Sequence, residues 1–348
     1  MTSTTQTVCP SCGGPVSEAD HFCEACGAEL NPGTPSIPAL DTDTEPTIEI
    51  NTGASPEGPC QSCGGVIGPE GYCETCGTKA AKARDHYTEQ PGTWVAGVCD
   101  RGIRHSRNED ALAIAADPEP GSRALLVVCD GVSSSLDSDV ASLAAARAAR
   151  DVLAAGHAQG IGTESSRSSA IVARLKAAAD AANDAVLENT SPDSPNPASC
   201  TFVATVLEDG LLVAGNVGDS RAYWFPDDAE AVALTVDDSW AAELIATGIS
   251  REEAESGPHA HAITRWLGKD APDHTPRTTT LRVTGPGWIL VCSDGLWNYC
   301  SEAAPLADLV RQTAAANGGE PMATASALTD WANAQGGQDN ITVALARL

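Results

Sequence analysis

Short apolar runs that stop abruptly at polar, glycine-containing turns mark strands along much of the chain. The runs "WILVC" (288–292) and "ALLVVC" (124–129) are apolar throughout, which is typical of strands buried on both faces. The stretch "CTFVATVLEDGLLVAGNVGDSRAYWF" (200–225) predicts strand, hairpin, strand, turn and strand, with the hairpin at Asp209-Gly210. A last strand is predicted in "NITVALARL" (340–348).

Helical periodicity appears in four alanine-rich segments between these strands. Asp139–His157 is one, and residues 168–189 carry a single apolar stripe formed by Ile171, Leu175, Ala178, Ala182 and Val186. Two more helices are predicted near 302–316 and 322–334. Because the strands come in meanders and the long helices in pairs, the pattern predicts an α+β layered fold with helix pairs packed on antiparallel sheets.

The first 92 residues have a different texture. The segment "CPSCGGPVSEADHFCEACGAEL" recurs as "CQSCGGVIGPEGYCETCGTKA", and a Pro-, Thr- and acid-rich stretch without periodicity separates the two copies. We therefore divide the chain into a first cysteine unit (1–30), a disordered linker (31–58), a second cysteine unit (59–79), a short linker (80–92) and one large domain (93–348).

Each cysteine unit carries two CxxC turns, a spacing that can direct four thiolates at one ion. Two complete copies favour a tetrahedral Zn2+ site in each unit over free thiols or a redox pair, and an iron site of rubredoxin type is a minor alternative. All four ligands are protein groups, so both sites are expected to be structural. The units resemble bacterial zinc ribbons; the ligand sets are Cys9, Cys12, Cys23, Cys26 and Cys60, Cys63, Cys73, Cys76.

The charge distribution narrows what the ribbons can contact. The chain has a formal charge of −27, and residues 1–78 contain no Lys or Arg but eleven Asp or Glu. Such a segment would be repelled by phosphate backbones, which argues against a nucleic-acid regulator and leaves protein contact or a spacer role. Without an apolar run of about 18 residues or a secretory signal, we expect no membrane association and a cytoplasmic protein.

Carboxylates stand at five separate strand ends. One such residue alone would be an ordinary turn aspartate, but ends at the same edge of a sheet converge, and the crowded carboxylates would repel each other. A cluster of hard divalent cations removes this repulsion, and oxygen-only ligands suit Mn2+ or Mg2+. The positions are Glu109-Asp110, Asp130-Gly131, Asp219, Asp294-Gly295 and Asp339.

At these residues the chain resembles the metal-dependent serine/threonine phosphatases of the phosphatase 2C family. The matching stretches, in the family's order, are "DRGIRHSRNEDA", "LLVVCDGV", "GNVGDSRAY", "LTVDDSW", "ITRWLG", "WILVCSDGLW" and "GGQDNITV". The resemblance implies a four-layer α/β/β/α sandwich and hydrolysis of phosphoserine and phosphothreonine by hydroxide at a dinuclear Mn2+/Mg2+ centre. It also implies phosphorylated proteins as substrates and suggests a serine/threonine kinase system as partner.

The resemblance assigns a role to each site residue. Asp130 would bridge the two ions and Gly131 would give its carbonyl to one of them. Asp294 and Asp339 would hold the first ion, and Glu109 the second. Asp219, with Asp294, matches a weaker third site, and residues 237–268 match the mobile flap beside the centre.

Two departures from the family pattern affect the substrate side of the site. The Arg that binds phosphate four residues before Glu109 is replaced by His105, so Arg104, Arg107 or a protonated His105 must take its place. After Gly131 the chain reads "VSSS", and Val132 cannot donate a proton, which leaves water on the second ion or His105 as the general acid. An active phosphatase is the favoured reading, and a pseudophosphatase scaffold that binds phosphoproteins without turnover is the alternative.

Overall fold

The computed structural model describes residues 63–77, 80, 82–157, 162–257, 259–260 and 262–348, together with two short strands near the N-terminus. These strands, β1 (Thr7–Val8) and β2 (Pro15–Val16), pair antiparallel. The chain separates into two compact units, Met1–Asp85 and His86–Leu348.

In the first unit, residues 63–77 form a tight set of turns. An isolated bridge joins Ile67 to Cys73, and the backbone N–H of Glu74 donates to the carbonyl of Val66 at 2.9 Å. A single 3-10 turn, Ala83–Asp85, ends the unit. The predicted first cysteine unit and the linker 31–58 lie outside the described residues, apart from β1 and β2.

The second unit contains two antiparallel sheets and a small ribbon. The six-stranded sheet has the order β11-β10-β14-β15-β4-β3, the five-stranded sheet the order β13-β9-β8-β6-β5, and β12 pairs with β7. The strands are β3 His86–Gly92, β4 Val95–Asp100, β5 Ala111–Ala116, β6 Arg123–Cys129, β7 Ser199–Cys200, β8 Phe202–Glu208, β9 Leu211–Val217, β10 Arg221–Pro226, β11 Val232–Ala233, β12 Leu267–Gly268, β13 Arg277–Arg282, β14 Gly287–Cys292 and β15 Ile341–Arg347.

Helices cover the outer faces of both sheets. The long ones are α1 Ser138–Ala154 and α2 Glu164–Glu188 on one side and, on the other, α6 Ala303–Ala316 and α7 Pro321–Gln335; the short ones are α3 Trp240–Ala246, α4 Arg251–Glu255 and α5 Asp294–Trp297. One apolar cluster packs α1 and α2 on the five-stranded sheet, a second lies between the sheets, and a third lies under α6 and α7. This is the four-layer α/β/β/α sandwich, so the predicted fold class is confirmed.

Local predictions hold where apolar pattern or turn chemistry is strong. The Asp209-Gly210 hairpin joins β8 to β9, and both of its residues have positive φ (51° and 73°), as a tight hairpin turn requires. The predicted linker 80–92 is wrong in its second half, because residues 86–92 form β3 and pair with β4. This edge strand is mostly exposed and polar and contains Pro91, which an edge strand tolerates, so it lacks the apolar signal of the inner strands.

The longest described helix, α2, carries charged residues throughout its 25 residues. Among the described parts of the chain, no helix has the length and apolar composition needed to cross a bilayer.

Candidate active site

The strand registers bring the carboxylate-bearing ends to one edge of the sandwich. In the five-stranded sheet Ala111 pairs with Cys129, so the residues before β5 lie beside those after β6. In the six-stranded sheet Arg221 pairs with Cys292, and Ile341 pairs with Asp100. The antiparallel arrangement therefore gathers the following carboxylates at one edge: Asp110, Asp130, Asp219, Asp294 and Asp339.

Glycines let the backbone segments at this edge approach one another closely. A Cβ on Gly295 would meet the carbonyl oxygen of Asn340 at 1.9 Å, and one on Gly131 would meet the carbonyl oxygen of Glu109 at 2.6 Å. Gly102 has φ of 73°, and a Cβ there would meet the carbonyl oxygen of Asp339 at 2.1 Å. The Asp-Gly pairs thus serve close backbone packing around the carboxylates.

The carboxylates at the edge destabilise one another's charge. Burial, followed by the charges of neighbouring aspartates, raises the pKa of Asp130 and of Asp294 well above the ordinary range. Burial and the nearby Asp237 raise the pKa of Asp219 to about 7. Burial also raises the pKa of Asp110 to about 6, although two hydroxyl groups hydrogen-bond to it. A set of acids with this shift is typical of a site that needs positive charge from a bound group.

The residues at this edge fit divalent cations in their donor chemistry. The oxygens Asp294 Oδ1 and Asp110 Oδ1 are buried and have no hydrogen-bond partner among the described residues. The donors are carboxylate oxygens, which suit Mn2+ and Mg2+. No three of these side chains in the described part of the chain bring their oxygens within 4.8 Å of one another. The set is therefore wider than a single-ion site, and such ions commonly keep water ligands that fill the space.

Arg107 lies against Glu109, with 35% of its side chain exposed. Its Nε and Nη2 atoms donate to Glu109 Oε1 at 3.0 and 2.7 Å, and Nη2 also donates to the carbonyl of Ser135. The hydroxyl of Ser138 donates to the same Glu109 oxygen at 2.6 Å. Burial disfavours the charge on Glu109, but His105, Ser138 and Arg107 outweigh it and lower the pKa of Glu109.

His105 lies between two of the predicted metal ligands. Its Nε2 is 3.3 Å from Asp339 Oδ1, and its Nδ1 is 3.6 Å from Glu109 Oε2. Burial opposes protonation of the imidazole, but Glu109 and Asp339 outweigh it and raise the pKa of His105. Arg104, in contrast, is exposed, and its backbone N–H donates to the carbonyl of Gly337. Of the three candidate phosphate ligands, His105 is the most buried, with 8% of its side chain exposed against 35% for Arg107.

Two residues at this edge had no assigned role in the sequence analysis. The carboxylate of Asp110 is fully buried, and it accepts hydrogen bonds from the hydroxyls of Ser293 and Thr342 at 2.6 and 2.7 Å. Asn340 accepts from the Glu109 N–H at 2.7 Å and donates to the carbonyls of Arg101 and Arg107. Each directly follows a predicted ligand, so adjacency in "NED" and "QDN" was the available signal.

In the first unit, three of the predicted zinc ligands lie together. One sulfur each from Cys63, Cys73 and Cys76 lies within 4.8 Å of the others, and the Cys63 and Cys73 sulfurs are 3.5 Å apart. A hydrogen bond from the Cys76 backbone lowers the pKa of the Cys73 thiol, which favours the thiolate that a metal binds. The other predicted ligands fall outside the described residues: Cys9, Cys12, Cys23, Cys26 and Cys60.

Comparison with known proteins agrees with this geometry. Residues 102–331 match the family model of protein phosphatase 2C, and residues 9–77 match that of the double zinc ribbon. The chain belongs to the protein phosphatase 2C family. It is 31% identical over 249 residues to the serine/threonine phosphatase stp of Listeria innocua, a match that covers 71% of this chain and 92% of that protein. The resemblance noted in the sequence is confirmed, and the protein is a phosphatase with a double zinc ribbon.

Solved structures of bacterial serine/threonine phosphatases have the same fold. The serine/threonine phosphatase PstP/Ppp of Mycobacterium tuberculosis aligns with a TM-score of 0.57 and 28% identity, covering 73% of this chain and 97% of that one. The serine/threonine phosphatase of S. agalactiae aligns with a TM-score of 0.57 and 26% identity, covering 74% and 98%. A structure of the PstP catalytic domain in complex with two manganese ions aligns with a TM-score of 0.55 and 27% identity, covering 73% and 96%.

Proposed function

We propose that this phosphatase hydrolyses phosphoserine and phosphothreonine in proteins at a centre of two Mn2+ or Mg2+ ions. The observation that carries the proposal is the edge of buried carboxylates, whose raised pKa values indicate missing positive charge. Phosphorylated proteins are then the substrates, and a serine/threonine kinase system is a natural source of them. A cytoplasmic location remains an expectation from the sequence.

The residues proposed to hold the ions follow the family pattern. Asp130 would contact both ions of the pair and the carbonyl of Gly131 one of them, Asp294 and Asp339 would hold the first ion, and Glu109 the second. Asp219, with Asp294, would hold a weaker third ion. Bound ions of this kind neutralise phosphoryl oxygens and lower the pKa of water, which supplies a nucleophile near neutral pH.

The surrounding side chains are proposed to orient these ligands and the substrate. Arg107 and Ser138 hold one oxygen of Glu109, and the other oxygen lies 3.6 Å from His105 Nδ1. Asn340 joins the backbone of the loop 101–109 to that of Asp339 and keeps the two segments in register. Protonated His105, between Glu109 and Asp339, would supply the positive charge that binds the phosphoryl group.

The ribbons are proposed to hold two structural Zn2+ ions and to contact other proteins or act as spacers. The thiols of Cys63, Cys73 and Cys76 support one of these sites. Two such sites predict about two tightly held zinc ions per chain, which mild chelation does not remove.

Hydrolysis of p-nitrophenyl phosphate and of a phosphothreonine peptide tests the proposal directly. We expect turnover with Mn2+, loss of turnover after chelation, and recovery when Mn2+ is returned. The alternative is a scaffold that binds phosphoproteins without turnover. It would bind the phosphopeptide and Mn2+ but release no phosphate, and that result would reject the proposed chemistry.

A further inference from the structure

A cavity of about 480 Å³ lies between the flap helices and the body of the sandwich. Its lining includes an aliphatic wall from α3 and two aromatic residues of the sandwich. The residues of these two groups are Ala242, Ile245, Ala246, Tyr223 and Trp297. A cavity of this size has room for a long side chain, and its composition suits one with an apolar stem.

The cavity is next to the candidate active site. The indole N–H of Trp297, which lines the cavity, donates to the backbone carbonyl of Asp219 at 3.0 Å. Trp297 is 4% exposed and ends α5, the short helix that begins at Asp294. Trp297 therefore connects the lining of the cavity directly to the carboxylate edge.

Most charges that line the cavity are neutralised by one another. The Arg221 guanidinium donates to both oxygens of Asp237 at 2.6 to 3.1 Å. It also lies 3.5 Å over the Trp297 ring. Arg251 donates to Glu255 Oε1 at 2.6 Å, and the Ser301 hydroxyl donates to the other Glu255 oxygen. These groups hold the flap to the body and leave little charge for a ligand.

Glu302 is the exception. It lines the cavity, is exposed, and takes the N-cap position of α6 without a side-chain capping hydrogen bond. Among the described residues, no ion pair or side-chain hydrogen bond engages its carboxylate. The charge that this cavity offers a ligand is therefore negative.

We propose that the cavity binds a lysine or arginine side chain that flanks the phosphorylated residue of the substrate. The inference rests on the proposed function and names its substrate class. The apolar walls would pack on the methylene stem, and Glu302 would pair with the cationic end. A basic neighbour also offsets the repulsion between a phosphate group and a chain of net charge −27.

Phosphothreonine peptides that differ at one position test this inference with the full chain. Each position within five residues of the phosphothreonine carries arginine, norleucine or glutamate in turn, and kcat/KM is measured by phosphate release. At one position we expect arginine to exceed norleucine by about threefold to tenfold, as one partly exposed ion pair with stem packing allows. The preference should shrink at high salt.

Two matched variants assign the preference to the cavity. Glu302→Gln should reduce it to less than about twofold, whereas Glu320→Gln should leave it unchanged, because Glu320 is likewise an exposed N-cap residue, of α7, but lies outside the cavity. Neither variant should alter turnover of p-nitrophenyl phosphate, which has no flanking residue. A preference for glutamate, no preference at any position, or a preference that survives Glu302→Gln would overturn the inference.

Fluorescence anisotropy of labelled versions of these peptides measures the preference for arginine as a binding affinity, without turnover. If p-nitrophenyl phosphate is not hydrolysed, the proposed function fails, while binding still reports whether arginine is favoured through Glu302. The two failures are therefore distinguishable.

Discussion

The thiol cluster of the first unit and the carboxylate edge of the second are both candidate metal sites, but they relate to their folds in opposite ways. In residues 63–77 Cys73 is the only buried residue among those described, so little apolar surface holds these turns together. The carboxylate edge lies at the end of a sandwich with three apolar layers. Metal binding is expected to stabilise the fold of the first unit, whereas the fold of the second unit positions its metal ligands without help from the metal.

This difference separates stability from function. A segment of about 20 residues cannot bury a sufficient core, so ligand binding supplies its folding free energy. The sandwich has its core already and holds acidic groups that repel each other at the edge, which is the usual arrangement of a site kept for chemistry. Removing a ligand should therefore unfold the ribbon but only inactivate the sandwich.

The largest expected effect is on catalysis. Asp294→Ala should lower kcat/KM for p-nitrophenyl phosphate by about 10³-fold or more, because it removes a ligand of the proposed ion pair. Without divalent cations the melting temperature should not fall, since a buried, repelling carboxylate is lost. Asp308→Ala is the control, because Asp308 is an acid that is 67% exposed on α6. Near-normal turnover by Asp294→Ala would reject the dinuclear site.

A substitution in the thiol cluster should have the reverse effect, with a loss of stability but not of catalysis. Cys73→Ser should remove about one zinc ion per chain and expose the second ribbon to proteolysis, while turnover of a small phosphoester stays within about twofold. Cys300→Ser, which changes a half-buried thiol of the sandwich, should keep the full zinc content. Metal analysis and limited proteolysis measure both outcomes. Unchanged zinc content in Cys73→Ser would contradict the ribbon assignment.

The two cationic residues near Glu109, His105 and Arg107, test how the carboxylate edge binds phosphate. His105→Ala should lower kcat/KM by about 10–150-fold, the value of one charge-assisted contact to phosphate. If protonated His105 binds the phosphate, wild-type activity should fall as pH rises through the pKa of its imidazole, and His105→Arg should flatten this dependence. Arg107→Ala should instead raise the Mn2+ concentration needed for half-maximal rate, because Arg107 holds Glu109.

The pH dependence of kcat/KM between about pH 6 and 9 shows which residue binds the phosphate. If Arg107→Ala loses phosphate affinity at unchanged Mn2+ requirement and His105→Ala is near wild type, Arg107 is the phosphate ligand. If neither variant nor Arg104→Ala changes the profile, the phosphate is held by the ions alone.

The smallest effect concerns the pH dependence of stability without divalent cations. In the folded state the pKa of Asp219 is about 7 and that of Asp110 about 6, both above the unfolded value of about 3.9. The folded chain binds more protons in this interval, so the unfolding free energy should fall, by about 1–4 kcal/mol, as pH rises from about 4 to 7. Asp219→Asn should weaken this slope in urea titrations, and so should saturating Mn2+. An equal slope for the wild type, for Asp219→Asn and for the wild type with Mn2+ would contradict the proposed repulsion between the edge carboxylates.

The fold class and a set of carboxylates at five strand ends could be predicted from the sequence, because short, fully apolar runs indicate buried strands and the carboxylates directly follow or precede them. The sequence could not show β3, whose polar edge-strand pattern resembles a linker. Nor could it show that Arg107 pairs with Glu109 or that Asn340 joins two loops. The first depends on the direction of a side chain only 2 residues away, and the second on a contact between residues 231 positions apart. The sequence also could not show that Glu302 is unpaired, because this depends on which residues the fold places around it.

The position of β15 has a consequence for how the enzyme is made. This strand lies in the middle of the six-stranded sheet, between β14 and β4, yet it spans Ile341–Arg347. During synthesis β4 leaves the ribosome more than two hundred residues before its neighbour in the sheet. Until residues 341–347 insert, β4 has no partner on that side, and Asp339 cannot join the other acids. A partly synthesised chain therefore has no assembled acidic edge, and phosphatase activity appears only after this late strand docks.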